Sequence, residues 1–221
     1  MFDGILLIDK PKDWTSHDVV AKARGILKKQ AGQKIKIGHT GTLDPKATGL
    51  LVLLTGSYCK KAQEFSKLDK TYEAEIKLGY TSTTGDSEGE LKGVSSHKPD
   101  IKEVEEAITG FIGKGQQVPP VYSAIKVDGK RAYKLAREGK KVEIEPRNIT
   151  IYDIDRISYK YPYISFMVSV SSGTYIRSLA EDIGKKLGTG AYLTNLKRTE
   201  VGKFKVEDAS TPVDVSLDKI T

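Results

Sequence analysis

Apolar and polar positions follow two rhythms along the chain, and the switches between them outline its elements. Residues 4–9 (Gly-Ile-Leu-Leu-Ile-Asp) form a short apolar run that stops at Lys10-Pro11-Lys12-Asp13, which predicts a strand and a turn. Thr15 and Asp18 then stand at capping-box spacing, with aspartate in place of the usual glutamate. Val19, Val20, Ala23, Ile26 and Leu27 recur behind them at the period of an amphipathic helix. A loop rich in glycine and lysine leads to a second apolar run, Leu50–Leu54. Tyr72, Ala74, Ile76, Leu78 and Tyr80 alternate with polar or small residues, the pattern of a half-buried strand.

Residues 81–99 read as loop, and Asp100 opens a helix with Ile101, Val104, Ile108, Phe111 and Ile112 on one face. Pro119-Pro120 interrupts the chain. A strand over Val121–Val127, an Asp128-Gly129 turn and a short helix near Arg131–Glu138 are expected next. Ile149–Ile154 and Tyr163–Ser171 alternate as strands, and Ile176, Leu179, Ala180, Ile183 and Leu187 define a helix ended by Gly188. Strands do not alternate strictly with helices, so a doubly wound parallel sheet does not fit. The pattern predicts an α+β fold: a mixed, largely antiparallel central sheet with flanking helices.

Composition narrows the class. Hydrophobic residues make up 38% of the 221, enough for a buried core, and no run approaches the ~18 apolar residues of a membrane span. The first residues lack the basic and apolar regions of a signal peptide. Cys59 is the only cysteine, so neither an intrachain disulfide nor a cysteine-based zinc site can form, and His17, His39 and His97 are scattered. A cytoplasmic protein without metal is expected. The net charge of +7 is concentrated: residues 114–147 hold nine Lys/Arg against four Asp/Glu, and residues 185–205 hold six against one. Two basic segments on a mildly acidic remainder suit a polyanion partner, although solvated lysines account for the charge equally well.

The segment with most chemical content is Gly38-His39-Thr40-Gly41-Thr42-Leu43-Asp44-Pro45-Lys46-Ala47-Thr48-Gly49. Its three glycines and Asp-Pro pair describe a loop whose backbone passes close to something, hung on a rigid strand where functional groups tend to sit. On spacing alone, an Asp-Pro turn without chemistry is the simpler account. Arg177 falls in the first turn of a helix, where a cation opposes the macrodipole and suggests a nearby anion. A solvated arginine is the plainer alternative. Tyr72 and Leu196, taken alone, read as core residues.

Several of these segments, in order and in register, resemble the TruB family of tRNA pseudouridine synthases. Gly38–Gly49 is similar to its active-site loop. Gly4–Pro11, Lys70-Thr71-Tyr72, Pro119–Lys126, Gly173–Asp182 and Leu196–Gly202 match further family segments. The resemblance runs from Gly4 to about Ala209. It implies a pseudouridine synthase fold over residues 1–209, a thumb-like insertion at about 116–145, and a tail over 210–221 where the family usually carries a PUA domain.

The resemblance implies Asp44 as nucleophile, Arg177 as the partner of its carboxylate, and Tyr72 as the aromatic residue stacked on the target base. A phenol is a poor base at neutral pH, so stacking is the better-founded role for Tyr72. His39, Tyr175, Leu196 and Lys10 would contact the flipped-out uridine or its surroundings. Lys130, Arg131, Lys134 and Arg137 in the thumb, with Lys197 and Arg198, would meet the RNA backbone; lysine at 197 replaces the more usual arginine. The expected partner is the T arm of tRNA, bound by a monomer. The implied reaction isomerises uridine 55 to pseudouridine; it gains and loses no atoms, so no cofactor is expected. Two alternatives stay open: a guide-RNA-directed synthase subunit, and a non-catalytic tRNA-binding or folding chaperone.

Overall fold

The structure is a computed structural model that describes residues 2–123, 125–127, 129–140 and 142–221. In chain order its elements are β1 (Gly4–Lys10), α1 (Ser16–Ala31), β2 (Ile37–His39), β3 (Thr48–Thr55), α2 (Ala62–Ser66), β4 (Lys70–Leu78), β5 (Tyr80–Ser82), β6 (Leu91–Gly93), α3 (Ile101–Thr109) and β7 (Gly113–Gln117). They continue with β8 (Lys126–Val127), β9 (Lys130–Arg131), α4 (Ala132–Arg137), β10 (Arg147–Lys160), β11 (Tyr163–Val170), α5 (Ile176–Lys186), β12 (Ala191–Val201) and β13 (Phe204–Lys205). The fold is of the pseudouridine synthase kind, a mixed α/β arrangement around a mostly antiparallel sheet. Two compact units divide the chain, Met1–Glu73 with Leu196–Thr221, and Ala74–Asn195.

In the first unit β3 is buried on both faces, which explains its unbroken apolar run. Leu51 and Leu53 join Leu6, Ile8, Val19, Val20, Ala23 and Leu27 on the α1 side. Leu50, Val52 and Leu54 pack with Val201 and Val206 on the other. Helix α1 starts where the sequence places it: the Thr15 hydroxyl accepts from Asp18 N and the Asp18 carboxylate from Thr15 N. Antiparallel β1 covers one edge of β3 from Gly49 to Thr55. The other edge is shared, with β2 on Leu53–Thr55 and β12, in parallel, on Thr48 and Gly49. Gly49 has φ +97°, and a Cβ there would run into the Arg198 backbone, so only glycine allows this parallel approach.

Residues 210–221, expected as a tail, are built into the first unit. Ser210 N donates to Leu7 O (3.0 Å), Thr221 and Ile5 exchange two backbone bonds (2.7 and 3.0 Å), and Val215 is buried against the α1 side.

In the second unit β4, β11, β10 and β7 lie side by side. Asp100 caps α3 in a second capping box with Glu103. Four expectations change here. The stretch 81–99 is not wholly loop, since β5 and β6 pair as a hairpin. Among the described residues of the strand expected over 121–127, only Lys126–Val127 is in a strand, pairing with Lys130–Arg131. β10 is more than twice as long as its apolar core suggests. Strands β7 and β12 were not expected at all. Ala124, Asp128 of the expected turn, and Lys141 lie outside the described residues. No helix among the described residues is long and apolar enough to cross a membrane.

Candidate active site

The Asp44 loop leaves β2, returns into β3, and is fastened at nearly every step. Thr40 N donates to Val52 O (3.1 Å). Arg198, buried at 2% exposure, donates from Nε to Leu50 O (2.8 Å) and from its guanidinium to Gly41 O (3.0 Å). These bonds serve the stretch of β3 edge that neither β2 nor β12 covers. The Ser16 hydroxyl takes both backbone groups of Leu43, accepting from its N–H (2.9 Å) and donating to its carbonyl (3.1 Å). Pro45 O, just beyond Asp44, accepts from Lys10 Nζ (3.1 Å) and from Asp13 N (2.8 Å). Lys46 closes the loop with an ion pair to Asp13 (2.7 Å), whose backbone turns at φ +67°. Ala47 N donates to Asp44 O (3.1 Å), which makes residues 44–47 a hydrogen-bonded turn. Residues 43 and 45 are thus both held, so the Asp44 side chain is presented from a fixed backbone.

Lys10 is wholly buried, and besides Pro45 O its ammonium donates to Trp14 O (2.6 Å) and Pro11 O (2.9 Å). Burial pushes its pKa down to about 8, while the neighbouring Asp44 carboxylate opposes that shift. Lys70 at the start of β4 has the same character: it donates to Ser66 O (2.8 Å) and Leu68 O, and burial pushes it to about 8. Two sequence-based roles therefore change. Lys10 and Arg198 were expected at the substrate and the RNA backbone, but both are buried with their donors on main-chain carbonyls. Their work is to shape the loop.

His39 ends β2 with Nδ1 buried and unpartnered, and burial followed by the Arg198 charge holds its pKa below the ordinary histidine value. The ring is neutral at pH 7 and keeps one unused polar atom. Tyr72, third residue of β4, is 8% exposed. In β12, Leu196 and Lys197 are half-buried, and Lys197 faces Thr48 in the parallel register.

In the second unit Arg177 lies in the first turn of α5 at 6% exposure, which rules out the solvated reading. It donates to Thr84 O (3.0 Å) and Tyr122 O (2.9 Å), and its guanidinium is 3.6 Å from the carboxylate of Asp86. Asp86 is itself ordered, accepting from the Thr84 hydroxyl (2.6 Å) and from Glu88 N (2.9 Å). An anion near this cation was expected from its place at a helix N-terminus. Asp86 was not singled out, because it sits in the segment read as loop. Tyr175 caps the same helix, and its N–H and carbonyl form a two-point clamp with the Gln117 amide (2.8 and 3.1 Å). Ser178 fixes Val118 O (2.9 Å). The segment expected as a thumb follows: Lys130, Arg131, Lys134 and Arg137 are all exposed, with the Arg137 guanidinium 5.6 Å from the centroid of the Tyr133 ring. No group of three or more His, Cys, Asp or Glu suited to a metal occurs among the described residues.

The first unit thus presents Asp44 on a pinned glycine-rich loop, and the second holds Arg177 at a helix start and exposes a basic hairpin. The TruB family pseudouridylate synthase N-terminal domain matches residues 26–176, and the tRNA pseudouridylate synthase B C-terminal domain matches residues 177–219. A tRNA pseudouridine synthase B from Chlorobaculum tepidum is 46% identical over 98% of this chain and 90% of its own length. One from Burkholderia lata is 46% identical over 96% of this chain and 64% of its own. Among solved structures, a chain of a Cbf5–Nop10–Gar1 complex superposes with a TM-score of 0.71 at 31% identity, over 94% of this chain and 52% of that one. The chain belongs to the TruB family of pseudouridylate synthases.

Proposed function

We propose that this chain isomerises uridine to pseudouridine in tRNA, at position 55 of the T loop, with Asp44 as nucleophile. The observation that carries the reading is the fastening of the Asp44 loop by Ser16, Lys10, Asp13 and Arg198. A turn without chemistry has no need of so many bonds, whereas a nucleophile gains from a preset position. The two relatives above, both tRNA pseudouridine synthases B at 46% identity, support tRNA as the substrate.

The reaction breaks the N1–C1′ bond of uridine, turns the base, and forms a C5–C1′ bond, with the C5 proton lost and N1 protonated. The target atoms are hidden in stacked RNA, so the nucleotide has to leave its stack, at a cost of about a few kcal/mol. Stacking on Tyr72 offsets part of that cost. His39, at the end of β2, supports the RNA loop from which the uridine has turned out, and Tyr175 and Leu196 line the uridine. Arg177, held by Asp86, Thr84 and Tyr122, is the partner of the Asp44 carboxylate. Lys130, Arg131, Lys134, Arg137 and Lys197 meet phosphates.

Loss of the C5 hydrogen gives the test. Unmodified tRNA transcript carrying uridine tritiated at C5 is incubated with the chain and no guide RNA. Release of tritium is expected, and a transcript with cytidine at position 55 releases none above background. Equal release from both transcripts would contradict the position, and no release from either would contradict the activity.

A further inference from the structure

The second unit carries a groove of about 530 Å³ at the end of β4, bordered by β6 and by the turn between β10 and β11. That volume falls in the range of small-ligand sites. Its frame is hydrogen-bonded: Leu78 N donates to Pro162 O (2.8 Å), Val94 N to Gly79 O (2.9 Å) and Gly79 N to Gly190 O (3.2 Å). Tyr80 and Tyr161 line it, and none of its lining residues is acidic. Lys77 Nζ lies 4.7 Å from the Tyr80 ring centroid and 5.7 Å from that of Tyr163, while Lys98 Nζ lies 5.2 Å from that of Tyr161. Nearby carboxylates of Asp100 and Glu103 are engaged in the α3 capping box. Tyr80 and Tyr163 are about two-fifths exposed and Val94 about half.

One exposed tyrosine needs no explanation. Here tyrosines with ammonium groups resting on them surround a framed concavity. Flat ring faces beside mobile cations are the two components by which proteins hold unpaired nucleotides, the base stacking and the phosphate meeting the charge. Asp44, Tyr72 and Arg177 are not among its lining residues, although β4 carries both Tyr72 and the groove's Lys77 and Leu78.

We propose that this groove binds an unpaired nucleotide of the RNA substrate, its base stacked on Tyr80 and Tyr161 and its phosphates met by Lys77 and Lys98. The base takes the ring faces that the two lysines cover in the free protein, and the displaced ammonium groups swing to the phosphates. The proposal rests on the reading that this chain acts on RNA, and adds a second place where RNA is held.

Its test compares the wild-type chain, a Tyr80→Leu/Tyr161→Leu variant and a Tyr80→Phe/Tyr161→Phe variant. Affinity for unmodified tRNA transcript is measured by fluorescence titration, and kcat by tritium release at saturating RNA. The leucine variant is expected to bind about tenfold more weakly, the loss of one stacked base, with kcat unchanged. The phenylalanine variant keeps the ring faces and the affinity. Leucine binding at wild-type strength overturns the proposal, as does an equal loss in the phenylalanine variant. Irradiation of the wild-type chain with a transcript containing 4-thiouridine tests the same groove without relying on the variants' folding. Adducts on peptides holding Tyr80 or Tyr161 are expected, and adducts confined elsewhere overturn the proposal. Turnover by the wild type with no effect of the groove variants on binding sinks this inference alone. A wild type that neither binds nor converts tRNA sinks it together with the proposed function.

Discussion

Lys10, Lys70 and Arg198 are cations buried at 0, 8 and 2% exposure, and each donates to main-chain carbonyls. A buried charge without partners costs several kcal/mol, and carbonyl dipoles supply the partners here. The carbonyls gain as well, because those on an irregular loop cannot all reach a strand neighbour. Replacing Lys10 by methionine keeps most of the volume and strands the carbonyls of Pro11, Trp14 and Pro45. Stability is expected to drop by about 1–3 kcal/mol in urea titrations, with kcat reduced more than KM is raised. Unchanged kcat would show that the Pro45 anchor does not govern Asp44. His39 makes a pH prediction. Its folded pKa lies below the ordinary value because of burial, so the unfolded chain takes up the proton first as pH falls below about 6.5. Stability is therefore lost on acidification, and His39→Gln should lose less between pH 7 and 5.5, as read from urea midpoints. An identical loss would contradict the assignment. Pattern alone marked the Asp44 loop and Arg177, while the placements of Lys10 at the substrate and Arg198 at the RNA backbone came from the family resemblance and do not fit the burial of either residue. Side-chain depth follows from strand alternation, and alternation could not be applied to Arg198 while β12 went unrecognised.

On the proposed reading two elements meet the substrate, the fastened loop and the basic hairpin with α4. Ser16 is the first residue of α1, so the capping box that starts the helix also sets the hydroxyl that grips Leu43. Ser16→Ala removes both bonds, and a stability loss of about 1–3 kcal/mol with a lower kcat is expected. A variant with wild-type melting and turnover would detach the loop from the helix start. In the thumb, Lys134 and Arg137 sit on α4, and each phosphate that they neutralise adds roughly 0.7–0.9 to the log–log fall of affinity with salt. Replacing both with alanine should flatten that slope by about one to two units, and an unchanged slope would place the RNA elsewhere. The helices were legible because caps and apolar spacing agree at Thr15, Asp100 and Gly188. The strands were less so. Register shifts between Ile151 and Asp153 and between Asp155 and Ser158 break the alternation of β10, and the β5–β6 hairpin is largely exposed and shows no apolar face. β12 is buried toward both ends and more exposed around Thr194–Lys197, which masks its period.

For the whole molecule, the net charge of +7 gathers in residues 114–147 and 185–205, and the structure divides that charge unevenly between surface and interior. Arg198 is internal, whereas Lys130, Arg131, Lys134 and Arg137 are exposed, as are Lys185, Lys186, Lys203 and Lys205. RNA loops are read by shape and by splayed bases rather than by a groove code. An isolated T-arm hairpin is therefore expected to react within about tenfold of whole tRNA in kcat/KM, the remainder coming from distant phosphates and from any second contact. A deficit of several hundredfold in steady-state assays at one salt concentration would mean that most recognition lies beyond the T arm. On the proposed reading the fastened loop exists to present the Asp44 carboxylate. Tritium release from C5-labelled tRNA transcript, followed with the wild-type chain and with Asp44→Ala under matched RNA affinity, tests it most directly. Turnover by the wild type and none by Asp44→Ala are expected, with RNA binding retained or slightly tightened by removal of an anion. Multiple turnovers by Asp44→Ala would contradict it.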